Sequence, residues 1–182
     1  KGLSHDAFEL AVTGYEKLVN SGKVKREGII TIADLSKSSA KKRLFVIDLE
    51  NYKILFNTYV AHGMNSGAEF AKKFSNVPES FQSSLGFYTT SDTYIGKNGF
   101  SMNLTGLEKG INDLADSRAI VMHGAAYANE GFIRLKGYLG RSQGCPAVPE
   151  NMNKPIIQKI KNGSCLFIYG KDAKYSRQSK LV

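Results

Sequence analysis

Val121-Met122-His123-Gly124-Ala125 and, further along, Gly140-Arg141-Ser142-Gln143-Gly144-Cys145-Pro146 carry the chemistry of this chain. The first run reads as a short apolar strand, Ala119 to Met122, with His123-Gly124 at its end. A strand end followed by glycine is a position from which a side chain reaches into a cleft. The second run is polar and turn-rich, so Cys145 is not packing filler. Brought together, a cysteine and a histidine form a thiolate–imidazolium pair, the usual way of activating sulfur. The flanks have physical meaning. Gly144 removes a side chain and lets a substrate carbonyl approach the backbone. Pro146 has no N–H, so backbone donors for an oxyanion come from Gln143, Gly144 or Cys145. Pro146 also keeps Cys145 out of the helical region.

The other candidates are weaker. Of the three histidines, His5 falls in a first helical turn and reads as a surface residue. His62 precedes Gly63 much as His123 precedes Gly124, but a capping hydrogen bond accounts for it. The second cysteine, Cys165, lies in the apolar run to Tyr169 and reads as a buried small hydrophobe, although one disulfide between the two cysteines stays open. No CxxC, HExxH or close histidine pair occurs, so no metal site is expected. Phosphate-binding glycine loops and the G-x-S-x-G elbow are missing too.

Around these residues the pattern is mainly strands. Ser4 to Asn20 has helical spacing in Phe8, Ala11, Val12, Tyr15, Leu18 and Val19, with Ser4 as N-cap. Strands are expected at Ile29–Leu35, Leu44–Leu49 and Lys53–Val60, the last two joined by a turn at Glu50-Asn51. The polar, glycine-rich stretch from Ala61 to Ser84 is long enough to be functional or mobile. Two short strands follow, over Ser84–Thr90 and Asp92–Ile95. A short helix over Gly106–Ala115, a helix opening at Asn153-Lys154-Pro155 and a last strand from Cys165 complete the reading. With 182 residues, 42% hydrophobic and 23% charged, the proportions are those of a globular protein. One domain over 1–182 is expected, with 1–28 as a helical extension and 171–182 as a basic tail that frays.

The net charge of +9 suits an acidic polymer. The basic residues form no stripe, and no nucleic-acid motif accompanies them, so nucleic acid is not the expected partner. Lys41-Lys42-Arg43 and the tail are the densest clusters and read as solvated surface. No apolar run spans a membrane. The chain opens without Met and is read as trimmed, so a missing export signal says little about location.

The two runs together resemble the L,D-transpeptidases of the YkuD type, and more closely their divergent murein branch. The main-branch signature is a His-Gly followed by Ser/Thr-His-Gly-Cys; here Gln143 stands where that pattern has His. Ala61-His62-Gly63-Met64-Asn65-Ser66-Gly67, Ser84-Leu85-Gly86-Phe87-Tyr88 and Gly106-Leu107-Glu108-Lys109-Gly110 are similar to the same branch. The resemblance implies an α+β, mainly β catalytic fold, sandwich- or barrel-like, with an N-terminal helix and a few short helices. It implies an enzyme of the bacterial cell envelope that acts on peptidoglycan stem peptides without cofactor and forms a carbapenem adduct. Cys145 would attack the stem carbonyl and His123 take the thiol proton. Gly144 and Cys145 N–H groups would receive the oxyanion, and Gly124, through its carbonyl, or Ser142 would orient His123. Arg141 is the candidate for a substrate carboxylate; Gln143 donates a hydrogen bond but carries no proton; Tyr88 and His62 are candidate cleft residues. An amine resolving the thioester makes a transpeptidase, water an L,D-carboxypeptidase. A non-catalytic wall-binding module is the reading from another class, and a general cysteine protease lacks its signatures.

Overall fold

The computed structural model describes residues 2–182. An eight-stranded mixed sheet, nearly closed into a barrel, dominates it. The strands are β1 (Ile29–Asp34), β2 (Leu44–Asp48), β3 (Lys53–Thr58), β4 (Gly86–Gly96), β5 (Gly99–Gly106), β6 (Val121–Gly124), β7 (Ala147–Val148) and β8 (Cys165–Tyr169). Their spatial order is β3-β2-β1-β8-β4-β5-β6-β7. The β1–β8 and β6–β7 pairs are parallel and the rest antiparallel. Central β8 is buried at every residue, as a strand covered on both faces must be.

The sheet closes through the chain that leaves β3. Ala61 pairs with Ala147 and Gly63 with Ser142. The bonds are Ala61 N–H to the Ala147 carbonyl (2.8 Å), Ser142 N–H to the His62 carbonyl (3.0 Å) and Met64 N–H to the Ser142 carbonyl (2.8 Å). Arg43 sits behind this seam, fully buried. Its Nε and Nη2 donate to the Val60 carbonyl (3.0 and 2.7 Å), its Nη1 to the Lys37 carbonyl (2.9 Å), and Nη2 also meets His62 Nδ1 at 2.8 Å. The basic cluster read as solvated surface therefore keeps only Lys41 and Lys42 outside. Each Arg43 bond is to a backbone or ring acceptor, which is what makes a buried guanidinium tolerable.

Helix α1 (His5–Asn20) has the expected cap, with Ser4 Oγ accepting from Ala7 N–H at 3.3 Å. Its buried face is made of Ala7, Ala11, Gly14 and Leu18, while Phe8 is exposed. Small residues, not the aromatics of the periodic pattern, let α1 lie close on the sheet. Helix α2 (Glu130–Lys136) is capped by Asn129 and stopped by left-handed Gly137. Helix α3 (Glu150–Ile160) starts earlier than expected, after Pro149, and carries Pro155 inside it. Pro155 is exposed there.

Three further expectations are corrected. The two short strands expected over Ser84–Thr90 and Asp92–Ile95 are one strand, β4, which starts at Gly86 and is bent by a bulge between Thr90 and Thr93. The 162–164 loop fills the bend: Thr90 N–H donates to the Ser164 carbonyl (3.0 Å) and Asn162 N–H to the Ser91 carbonyl (3.0 Å). Gly106–Ala115 forms successive turns and no helix, because Gly110 has φ +77° and Asn112 spends its side chain on strand ends. Its Oδ1 accepts from Glu108 N–H (2.9 Å) and its Nδ2 donates to the Leu85 and Phe87 carbonyls (3.1 and 3.0 Å). The C-terminal segment does not fray. It forms α4 (Ala173–Gln178), capped by Asp172, with Tyr175 buried. Tyr175 Oη donates to Glu108 Oε2 at 3.0 Å, and Ser179 Oγ donates to Glu108 Oε1. Phe74 packs where a Cβ on Gly170 would sit.

A methyl at Gly14 would lie inside the Phe87 ring, which is buried and stacked on Phe167 at 4.2 Å. Overpacking costs about 1–3 kcal/mol, against about 1 kcal/mol gained from helix propensity. Gly14→Ala is therefore expected to lower the thermal midpoint, and a raised midpoint would show that α1 shifts freely.

Candidate active site

The seam of the barrel opens on a cleft of about 860 Å³. Cys145, His123, Ser142, Gln143 and Arg141 line it, so the two sequence runs meet there. Strand β6 delivers His123, and β7 delivers the turn that ends in Cys145; in the parallel ladder His123 is opposite Ala147. Both cysteines are free, which removes the disulfide alternative.

The turn from Ser142 to Cys145 is closed by one hydroxyl. Ser142 Oγ donates to the Cys145 carbonyl (2.6 Å) and accepts from Gly144 N–H (3.1 Å). Ser142 thus holds the turn and does not touch His123. The Gly144 N–H is taken, whereas among the described residues the backbone N–H groups of Gln143 and Cys145 have no partner. Gly144 has φ +124°, and a Cβ there would lie 2.9 Å from the Gln82 carbonyl oxygen and 3.0 Å from Ile120. Glycine is thus required by the turn and by the wall behind it, a different reason from the substrate approach expected.

His123 is buried, and its Nδ1 lies 2.9 Å from the Gly124 carbonyl. A carbonyl only accepts, so Nδ1 carries the proton and Nε2 is the basic nitrogen. Gly124 is also where α3 comes closest: a Cβ would meet Asn153 and Glu150 at 3.2 Å.

The thiol differs from the expectation of a resting ion pair. Val121 N–H donates to Sγ at 3.4 Å and Sγ–H donates to the Ala119 carbonyl at 3.5 Å. His123 is not among its hydrogen-bond partners. Burial pushes the Cys145 thiol up, opposed in part by the Val121 N–H and the charges of Arg118 and Lys97. Cys145 therefore rests as a neutral thiol, bracketed by backbone.

Two candidates do not reach the cleft. Tyr88 is fully buried and donates to the Ser84 carbonyl at 2.8 Å; burial raises its hydroxyl well above the ordinary tyrosine range. His62 is buried behind the seam, its Nδ1 accepting from Arg43 (2.8 Å) and its Nε2 donating to the Gly67 carbonyl (2.9 Å). Burial and the neighbouring Arg43 lower its pKa to about 4. Arg141 lines the cleft, and its Nη1 is shared between the Met64 and Gly67 carbonyls at 3.1 and 3.4 Å.

Sequence reasoning missed much of the lining. Met64, Glu79, Phe81, Tyr94, Lys97, Arg118 and Tyr127 all face the cleft. Arg118 reaches partners 34 to 43 residues away, beyond any local signal. Glu79, Phe81 and Ala119 have positive φ without being glycine. Among the described residues no cluster of three or more His, Cys, Asp or Glu is arranged to hold a metal, and no helix is long and apolar enough to cross a membrane.

A mainly β, nearly closed barrel that brings a free cysteine and a carbonyl-oriented histidine to one cleft is the class these features define. A family profile described as the L,D-transpeptidase catalytic domain matches residues 1–169. The chain belongs to that family. Among solved structures, the helical cell shape determining protein of Campylobacter jejuni is similar at 16% identity and a TM-score of 0.55, covering 88% of this chain and 56% of that one. An L,D-transpeptidase from Mycobacterium smegmatis gives 11% identity and a TM-score of 0.49, covering 79% and 59%. An L,D-transpeptidase solved in complex with imipenem gives 11% and 0.48, covering 78% and 59%. The chain thus spans less than two thirds of the length of these structures. No curated protein matches it.

The His62 pKa yields a pH test. Its folded value of about 4 lies below the 6.5 of a free histidine. Between those values the unfolded chain binds the proton and the folded one does not, so stability falls as pH drops from 6.5 towards 4. The loss is at most about 3 kcal/mol. His62→Gln keeps an acceptor for Arg43 and a donor for Gly67, so the gap between urea midpoints at pH 7 and 4.5 is expected to shrink in that variant. An unchanged gap would mean that His62 is already charged in the folded protein.

Proposed function

We propose that this domain is a peptidoglycan L,D-transpeptidase of the bacterial cell envelope, with Cys145 as nucleophile and His123 as general base. The observation that carries the reading is the shared cleft of free Cys145 and His123, the latter fixed by the Gly124 carbonyl, in a member of this family.

Because the thiol rests neutral, its proton leaves in the same step that forms the bond. His123 Nε2 takes that proton as Sγ attacks the carbonyl of the third stem residue. The tetrahedral oxyanion is met by the Cys145 and Gln143 backbone N–H groups, since Gly144 is committed to Ser142. As the intermediate collapses, the C–N bond breaks and His123 returns the proton to the departing amine of the terminal D-residue. A thioester remains. An acceptor amine from a second stem attacks it, losing its proton to His123; the C–S bond breaks, the proton passes from His123 to Cys145 Sγ, and a cross-link and the free thiol result. Gln143 at the rim contributes an amide donor and carries no proton, so His123 is the one acid–base group of the cycle. Lys97, Arg118 and Arg141 make the cleft cationic around a single acid, Glu79, which suits a stem peptide rich in carboxylates. Resolution of the same thioester by water gives an L,D-carboxypeptidase.

Treated with imipenem and weighed intact, the wild type is expected to gain one adduct and Cys145→Ala none. His123→Gln is expected to slow acylation by roughly 10²-fold or more. An adduct on Cys145→Ala, or none on the wild type, would refute the assignment. With disaccharide tetrapeptides, joined stems are expected; free tripeptide stems alone would make the enzyme a carboxypeptidase.

A further inference from the structure

Arg118 is half-buried and is the most heavily bonded cation of the cleft. Its Nη1 donates to the Ser75 carbonyl (2.9 Å) and Ser84 Oγ (2.5 Å), and its Nη2 to the Gln82 carbonyl (2.9 Å) and Ser80 Oγ (3.2 Å). All four acceptors belong to one segment, 75–84, which has no helix or strand of its own and forms a wall of the cleft through Pro78, Glu79 and Phe81. Glu79 and Phe81 have φ of +59° and +54°. Such conformations are unfavourable for residues with a side chain and persist only where the surroundings enforce them. Other bonds hold parts of the segment: the Phe81 and Ser80 carbonyls accept from Asn65, Ser83 bonds Ser66 Oγ and Gly63 N–H, and Asn76 bonds Asp113 and Leu114, but among the described residues Arg118 is the one side chain that joins Ser75, Ser80, Gln82 and Ser84 at once.

The same residue borders the sulfur. Ala119 follows it directly, with φ +52°, and the Ala119 carbonyl accepts the Cys145 thiol. The Gln82 carbonyl that Arg118 holds is the atom lying where a Gly144 side chain would stand. Arg118 thus reaches the wall and the back of the cysteine turn through its guanidinium, and the thiol's acceptor through its own backbone.

We propose that Arg118 is the positioning residue of this active site, tying the Ser75–Ser84 wall to the Ala119 peptide against which the Cys145 thiol rests. The proposal builds on Cys145 as nucleophile and adds how the cleft keeps its shape without a regular element on that side. Lysine cannot replace the fork, because a point charge does not span four acceptors in one plane. The groups facing Cys145 from the surrounding elements are His123 on β6, Tyr127 beyond it, Lys97 on the β4–β5 hairpin, Glu79 on the wall and Arg141 on its own loop. Of these only Lys97 shares with Arg118 the effect of drawing the thiol down.

Two readouts separate position from charge: the pH profile of Cys145 alkylation by iodoacetamide, and the imipenem concentration that half-saturates acylation. In Arg118→Gln the alkylation profile is expected to move to higher pH, with the plateau rate unchanged, and half-saturation to rise about tenfold, the equivalent of one or two hydrogen bonds. Arg118→Lys is expected to restore the profile but not the half-saturation. Arg118→Gln with both readouts as in the wild type, even if its melting temperature falls, would overturn the proposal by leaving Arg118 a structural role only. If Arg118→Gln does not fold, Ser80→Ala removes one acceptor and keeps the charge. It should raise half-saturation with a wild-type profile, and wild-type values for both would overturn the proposal. If imipenem does not acylate the wild type at all, the functional reading fails, while the alkylation profile still decides whether Arg118 acts on the thiol.

Discussion

A buried guanidinium underlies the architecture of this domain. Arg43 closes the barrel from within by holding the Val60 carbonyl twice and His62 once. The chain it holds, from Ala61 to Met64, makes the three backbone bonds that join the two ends of the sheet. Two of those bonds are to Ser142, the residue that folds the cysteine turn. The strand seam and the cysteine turn are therefore one structure, and a cation inside the core fixes both. Burial lowers Arg43 itself to about 9, so it stays charged at neutral pH. Beside a permanent cation His62 stays neutral, which preserves Nδ1 as an acceptor. Charge inside the core thus enforces a specific tautomer, and that tautomer enforces a specific seam.

On the open side of the seam the logic is reversed. Desolvation keeps the Cys145 thiol protonated, and the backbone on either side of it satisfies its weak donor and acceptor. A neutral thiol is also the less oxidisable form, because the thiolate is the form that oxidises most readily. His123 lies ready with its tautomer set by Gly124. In the proposed mechanism the activating proton transfer then belongs to the moment when a substrate carbonyl is present, and His123 and Cys145 need no ion pair beforehand.

Much of this was legible in the chain. β-Branched and apolar runs gave β1, β2, β3 and β8, and the Ser4 cap with periodic apolar residues gave α1. His123-Gly124 and the Ser142–Cys145 turn were legible as chemistry because glycine and proline around a cysteine have few packing explanations. What stayed hidden shares one cause, contact across long stretches of chain. Arg43 looked like surface because Lys41 and Lys42 precede it, and nothing local announces that Val60 and His62 await it. Arg118 sits among ordinary turn residues, and its four partners come from the other side of the cleft. The 106–115 segment looked helical because its tertiary competitor, Asn112 bonding to Leu85 and Phe87, is invisible in a local window. The resemblance places Tyr88 and His62 at the cleft, yet Tyr88 is sealed by its bond to the Ser84 carbonyl and His62 by its bonds to Arg43 and the Gly67 carbonyl.

The family match stops at residue 169, but the packing does not. Tyr175 and Ser179 supply hydroxyl donors to the buried carboxylate of Glu108, whose remaining partner is Phe87 N–H. Helix α4 stands behind Phe74 and Asn76, just before and within the segment that Arg118 gathers into the cleft wall. The boundary of recognisable ancestry and the boundary of the folding unit therefore differ by a helix. A gene fragment cut at the edge of the homologous region would leave Glu108 short of two donors in the interior and the cleft wall without its backing. For this domain the thirteen residues beyond the match are part of the enzyme's foundation, even though nothing in the shared family pattern asks for them.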